Sequence, residues 1–201
     1  MPRRSAAEAL DTRARILDRA VAIAATDGLE GVTIGRLATD LGMSKAGVHG
    51  HFGSKEALQL AAFDVAVEQF KELVTARAPQ AVGPGARRLL LLCDAWVDYL
   101  ERDGIAGGGC FLTAAALEFD NRPGPVRDAI ADTADRWLAH LGRLAADAVE
   151  AGDLPSDTDP AQIAFELNGI AMAANQAIQL QRDPAASQRA RRAMHRTVGA
   201  P

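Results

Sequence analysis

Apolar positions recur at helical spacing along almost the whole chain. Leu10, Ile16, Leu17, Ala20, Val21, Ile23 and Ala24 fall at near-helical intervals with Arg13, Arg15, Asp18 and Arg19 between them, which predicts an amphipathic helix over residues 10–25. Gly28 marks its end. Thr33, Ser44 and Ser54 are good N-cap residues, and each opens a predicted helix. The helix after Thr33 closes at Gly42, the short one after Ser44 runs to His51 and Phe52, and the one after Ser54 continues past Leu73 towards Ala78 and Pro79. A Pro- and Gly-rich stretch covers residues 78–85. Further helices are predicted over residues 87–102, 110–119, 126–151, 161–182 and 185–197. Asp103-Gly104, the glycines Gly107, Gly108 and Gly109, the turn 121–125, Gly152 and residues 157–160 separate them, and Pro125 suits the opening of its helix. No segment alternates with period two and no solenoid-like repeat is present, so the expected fold class is all-α.

Composition sharpens this picture. The chain is 48% hydrophobic with only 4% aromatic residues. That favours helices over sheets and supplies enough apolar side chains for a core. The strongly apolar run 89–93 is followed at once by Asp94 and is too short to cross a bilayer. The N-terminal MPRRSAAEAL has charge without an apolar stretch, unlike a secretory signal. These features lead us to expect a cytoplasmic protein with no membrane partner, in which Cys93 and Cys110 stay reduced. Net charge is -4, but residues 1–60 hold 8 Lys/Arg against 7 Asp/Glu and the rest 14 against 19. A nucleic-acid function would therefore rest on a few well-placed cations rather than a strong overall field.

The most informative segment is Thr33 to Phe52, TIGRLATDLGMSKAGVHGHF. Two short helices crossing at a steep angle need a small residue at the crossing, a turn residue tolerating positive φ, and an apolar anchor on the second helix. Ala38, Gly42 and Val48 meet these needs, with Ile34, Leu37 and Leu41 completing a shared core. On pattern alone the segment is either a helix-turn-helix or simply two helices joined by a tight turn. Leu29-Glu30-Gly31-Val32-Thr33-Ile34, Ala38, Leu41-Gly42-Met43-Ser44-Lys45 and His51-Phe52-Gly53-Ser54-Lys55-Glu56-Ala57-Leu58 together resemble the N-terminal domain of the tetracycline-repressor (TetR) family of transcriptional regulators. The resemblance covers about the first third of the chain. It departs from the family pattern at Gly47, Val48, His49 and Gly50, which leave the recognition helix rich in glycine and short of base-reading side chains.

The resemblance implies a three-helix DNA-binding domain over residues 1–53 and a helical bundle over 54–201 for ligand sensing and dimerisation. The implied partners are double-stranded operator DNA, a second copy of the chain and a small-molecule effector that is mostly apolar. The implied output is repression relieved by that effector, with no cofactor, metal or catalytic residue. Thr33 and Ser44 would place helix starts against DNA phosphates. Lys45 is the best-placed base or phosphate contact, Ala46 could touch a thymine methyl, and His49 could bond to a phosphate or base. Lys55 would clamp a phosphate, and Arg3 and Arg4 would form an arm along the DNA. Solvated surface charge is the bland alternative for each cation, and local packing is that for His49 and His51.

In the body, the resemblance implies that Trp96, Tyr99, Cys110, Phe111, Trp137, Asn168 and Met172 line the ligand site, although residue by residue plain core is the stronger reading. Gly107, Gly108 and Gly109 read either as a hinge or as a surface loop. Ile163, Ala164, Leu167, Ile170, Ala171, Ala174, Ala177 and Ile178 form a small-residue apolar face that the resemblance assigns to the dimer interface, with residues 185–194 supplying the partner helix. Two other classes compete. An enzyme would need a motif, and the sequence has no metal-protease, P-loop or nucleophile-elbow pattern; Glu118, Asp120, Asp157 and Asp159 read as ordinary helix-end and turn acids. A helical adaptor without DNA binding would not require the Ser44-Lys45 and Ser54-Lys55 pairs together.

Overall fold

The computed structural model describes residues 6–77, 83–102 and 109–199. Nine α-helices and no strand occur among them. They are α1 (Ala6–Asp27), α2 (Ile34–Asp40), α3 (Lys45–Phe52), α4 (Lys55–Leu73), α5 (Ala86–Glu101), α6 (Phe111–Phe119), α7 (Pro125–Glu150), α8 (Pro160–Gln179) and α9 (Ala186–Thr197). The fold is all-α, as the periodicity predicts. No helix among the described residues is long and apolar enough to cross a membrane. The described residues fall into two compact units, one of residues 6–68 and 111–130 and the other of residues 69–102, 109–110 and 131–199.

In the first unit, Ile16, Ala20, Ile23 and Ala24 of α1 are buried against Leu37, Ala38 and Val48 of the two short helices. Leu58, Ala62 and Phe63 of α4 and Phe111, Ala115 and Phe119 of α6 close the same core. Each buried Val, Leu, Ile or Phe among them contributes about 1.5–3 kcal/mol. Leu10, expected on the buried stripe of α1, is 69% exposed. The core begins at Ile16, and Leu10 stands nearly two turns before it.

In the second unit, α8 and α9 pack on each other and on α5. Arg191 of α9 fixes this arrangement: it donates to the Asp94 backbone carbonyl at 3.1 Å, to Asp98 at 2.6 Å and to Glu101 at 3.0 Å, all on α5. Much of the face of α8 expected to meet a second copy is turned inward within one chain, while Ile170, Ala177 and Ile178 are half-buried. Ile163, Ala164, Leu167, Ala171 and Ala174 are at most 8% exposed within a single chain. Residues 185–194, expected to pair with that face across the interface, pack on it as α9 of the same chain. Periodicity identifies a buried face but not what buries it.

Two helix ends also differ from expectation. α4 stops at Leu73 and gives way to a 3-10 turn at Thr75–Arg77. α8 stops at Gln179, with Arg182 in the left-handed region at φ 53°. Pro184 keeps Asp183 out of helical conformation, and the Asp183 carboxylate accepts the Ala185 N–H at 2.9 Å. The expected breaks at 78–82 and at Asp103, Gly104, Gly107 and Gly108 lie outside the described residues.

Candidate nucleic-acid interface

The two short helices owe their limits to local hydrogen bonding. Thr33 Oγ1 accepts the Arg36 N–H at 3.1 Å and opens α2. Ser44 Oγ accepts the Gly47 N–H at 3.0 Å and opens α3, and Ser54 Oγ does the same for α4 through the Ala57 N–H at 3.0 Å. Between α2 and α3 the chain closes in a Schellman turn: Met43 N–H donates to the Ala38 carbonyl at 2.8 Å and Gly42 N–H to that of Thr39 at 3.3 Å. Gly42 sits at φ 63°, a conformation that an L side chain resists. Sequence spacing had picked out this residue for that purpose.

Val48 is fully buried and anchors α3 in the core. Lys45, Ala46, His49 and Gly50 are exposed, with Ala46 and Gly50 opposite Val48 and Lys45 one turn before it, beside α2. A Cβ on Gly50 would meet nothing within 4 Å, and Lys45 lies across α2, with its Cε 3.6 Å from where a Cβ on Gly35 would stand. Lys45 has no ion pair among the described residues, and its backbone N–H and that of Ala46 precede any intrahelical acceptor. α3 therefore offers one free cation and a helix start on a side-chain-poor, open face.

Lys55 is differently placed. Its ammonium is ion-paired with Glu30, whose other carboxylate oxygen meets Arg122 at 3.4 Å. The Lys55 hydrogen bond holds the Glu30 carboxyl below its usual range. Arg19 pairs with Asp40 at 2.6 Å and Arg36 with Asp27 at 2.5 Å. Most cations of this unit are thus engaged within it. Arg3 and Arg4 lie outside the described residues.

Two contacts escaped the sequence analysis. Arg13 of α1 donates to the His51 carbonyl at 2.8 Å, and its guanidinium stands 4.3 Å from the centre of the Phe52 ring, which ties the end of α3 to α1. Glu118, read as an ordinary helix-end acid, accepts the backbone N–H groups of Leu29 at 2.7 Å and Glu30 at 2.9 Å. It thereby pins α6 to the turn between α1 and α2, and Gln59 supports the same turn by donating to the Leu29 carbonyl at 2.9 Å. Asp159, by contrast, is the helix-end acid expected: it caps α8 through the Ala161 N–H at 2.9 Å.

The residues expected to line a ligand site are only partly brought together. Trp96 and Tyr99 of α5, Trp137 of α7 and Phe70 of α4 form one aromatic cluster in the second unit, with ring centres 4.8–6.2 Å apart. Cys110 is buried, and its N–H donates to Asn175 Oδ1 at 2.8 Å. Phe111 instead belongs to the core of the first unit, 6.3 Å from Phe63. Asn168 and Met172 also depart from the expectation: they meet each other on the outer face of α8, where Met172 is 40% exposed, because the helix turns Leu167 and Ala171 inward at that point. Among the described residues no group of three or more His, Cys, Asp or Glu is placed to hold a metal ion.

Comparison with known proteins agrees with this architecture. The family model for bacterial regulatory proteins of the tetR family matches residues 16–62, and that for the tetracyclin repressor-like C-terminal domain matches residues 85–194. No curated protein sequence matches the chain. A TetR transcriptional regulator from Chloroflexus aurantiacus superposes with TM-score 0.84 at 24% identity, over 95% of this chain and 96% of that one. A transcriptional regulator from Saccharomonospora viridis in complex with choline gives 0.76 at 22% identity, over 94% and 96%. AibR in complex with isovaleryl coenzyme A and operator DNA gives 0.71 at 21% identity, over 93% and 96%. Similarity at this level of identity speaks for the fold, whereas the two family models together span most of the sequence. With a helix-turn-helix built on Ala38, Gly42 and Val48 and a helical body behind it, this chain belongs to the TetR family of transcriptional regulators.

Proposed function

We propose that the protein is a homodimeric repressor that leaves its operator when a small molecule binds its body. The observation that carries the reading is the division of α3 into a buried anchor, Val48, and an exposed face holding Lys45, Ala46 and His49. Residues 1–53 would read the DNA, with Thr33 and Ser44 setting helix starts against phosphates, Lys55 and the arm of Arg3 and Arg4 adding charge, and Lys45 as the principal contact. Residues 54–201 would dimerise and sense the effector.

Dimerisation is assigned to the outer face of α8. Phe165, Met172 and Leu180 are 69%, 40% and 76% exposed, and they make up three of the five large apolar side chains left in solvent among the described residues. An apolar stripe of this kind along one helix suits a self-complementary interface. The effector is assigned to the aromatic cluster of Phe70, Trp96, Tyr99 and Trp137. Similar folds have been captured with choline and with isovaleryl coenzyme A plus operator DNA, which supports both halves of the reading by likeness.

The test is selection of binding sites from a random DNA pool, followed by footprinting. The expected product is a near-palindrome whose half-sites are about one helical turn, or a multiple of it, apart. A pool that fails to converge, while the protein remains folded and dimeric, would refute the DNA-binding assignment.

A further inference from the structure

A polar atom buried without a partner is costly, and native proteins leave few of them unexplained. Among the described residues, five buried side-chain atoms find no hydrogen-bond partner in the protein: Gln69 Oε1, Arg88 Nε, Trp96 Nε1, Trp137 Nε1 and His140 Nε2. All five lie in the second unit, on the end of α4, on α5 and on α7. The two indoles and the His140 ring are direct neighbours. Trp96 and Trp137 meet with ring centres 4.8 Å apart, Trp137 and His140 at 5.8 Å, and Phe70, next to Gln69 in the chain, touches both indoles. Arg88 acts electrostatically on His140.

Their chemistry is lopsided. Indole and guanidinium N–H groups only donate. Burial first, then Arg143 and Arg88, lowers the basicity of His140, so its neutral ring offers one donor and one acceptor. Gln69 Oε1 alone is an obligate acceptor. A molecule that satisfies this set must bring lone pairs, and the nearby Arg88 and Arg143 favour negative charge on it. The aromatic rings might suggest a cage for a quaternary ammonium. However, Arg88 and Arg143, which both act electrostatically on His140 beside Trp137, repel a cation.

We propose that this site binds an organic acid, an apolar molecule whose carboxylate accepts hydrogen bonds from Trp96, Trp137 and Arg88. The inference rests on the reading of the second unit as the effector-binding body and narrows the class of effector.

The chain has only two tryptophans, both in this site, so intrinsic fluorescence reports on it directly. The probes are phenylacetate and octanoate as acids, phenylacetamide as a neutral acceptor, and benzyltrimethylammonium as a cation. The acids are expected to quench with affinity at least about tenfold above the amide, and the ammonium not to bind. Arg88→Gln should abolish the preference for acid over amide and Arg88→Lys restore it, while Trp96→Phe should weaken both. Affinity for DNA selected from a random pool is measured in parallel with each probe. Equal affinities, or a preference for the ammonium, would overturn the acid assignment, and a shift in DNA affinity would then leave the effector reading standing. An acid preference without any change in DNA affinity would keep the assignment and remove the effector reading. No response to any probe up to about 10 mM would overturn both, leaving the five atoms to water.

Discussion

Glu118 gives the sharpest test of how the first unit is held together. Its carboxylate accepts the Leu29 and Glu30 N–H groups at 2.7 and 2.9 Å from a partly buried position. Glu118→Ala removes both bonds. At about 1–1.5 kcal/mol net for each in a half-solvated site, the loss is about 2–3 kcal/mol. For a chain of this size that lowers Tm by about 4–12 °C. Glu118→Gln should cost nearly as much, because an amide turns one N–H donor towards another. Gly28 provides an independent probe. It stands at φ 77°, ψ 165°, a region reserved for glycine, and a Cβ there would lie 2.8 Å from both Glu118 oxygens. Gly28→Ala therefore carries about 1–3 kcal/mol of backbone strain plus a clash. In the Glu118→Ala background the clash disappears and the strain remains, so the double variant should cost less than the sum of the singles. Urea unfolding followed by far-ultraviolet circular dichroism, at one protomer concentration, measures all five proteins. A Glu118→Ala variant within about 0.5 kcal/mol of the parent, or a strictly additive cycle, would refute the reasoning.

Lys45→Ala should flatten the salt dependence of DNA binding by about one unit of slope, and Lys55→Ala by less, because Glu30 already neutralises Lys55. Filter binding over a range of salt decides this, and a larger effect at Lys55 would reverse the assignment. Phe165→Glu, at an exposed position, should give a folded monomer by sedimentation. Ala171→Glu buries a carboxylate at a site 2% exposed and should unfold the chain, so a folded Ala171→Glu monomer would return the interface to the inner face of α8. Burial, helped by the neighbouring Asp94, pushes the Cys93 thiol up to about 12. In a Cys110→Ser background at pH 8, with roughly one thiol in ten thousand ionised, Cys93 should react with a disulfide reagent only as fast as the chain unfolds. Rapid labelling would contradict its burial.

Features that depend on near neighbours in the chain were legible in the sequence. Thr33, Ser44 and Ser54 were readable as caps because each hydroxyl bonds to an N–H three residues on. Gly42 was readable because a Schellman turn requires a residue at positive φ beside a helix end. Features that depend on distant neighbours were not. The partners of Glu118 lie 88 and 89 residues away, and no local pattern separates a bridging carboxylate from a solvated one. The apolar stripe of α8 was legible as a stripe, but not that α5 and α9 of the same chain bury Ile163, Ala164, Leu167, Ala171 and Ala174 while Ile170, Ala177 and Ile178 stay half-buried. Phe111 shows the same ambiguity: an aromatic residue at the start of an apolar helix suits either unit, and its neighbour Phe63 places it in the first. Among the ligand-site candidates, Trp96, Tyr99 and Trp137 converge, and Phe70 of α4 touches all three.

The open face of α3 separates two properties that most helices couple. Val48, with Phe52 partly buried at the end of the helix, carries the burial of α3, while Ala46 and Gly50 are exposed. At Gly50 an added Cβ would meet nothing within 4 Å. Replacing a helical glycine is itself favourable by about 0.5–1 kcal/mol. If this face reads DNA as proposed, substitutions there would change which bases are touched without eroding the fold that presents them. A duplicated copy of this regulator therefore has a short mutational route to a new set of target sites, starting at a position where drift is tolerated before any new contact has been selected.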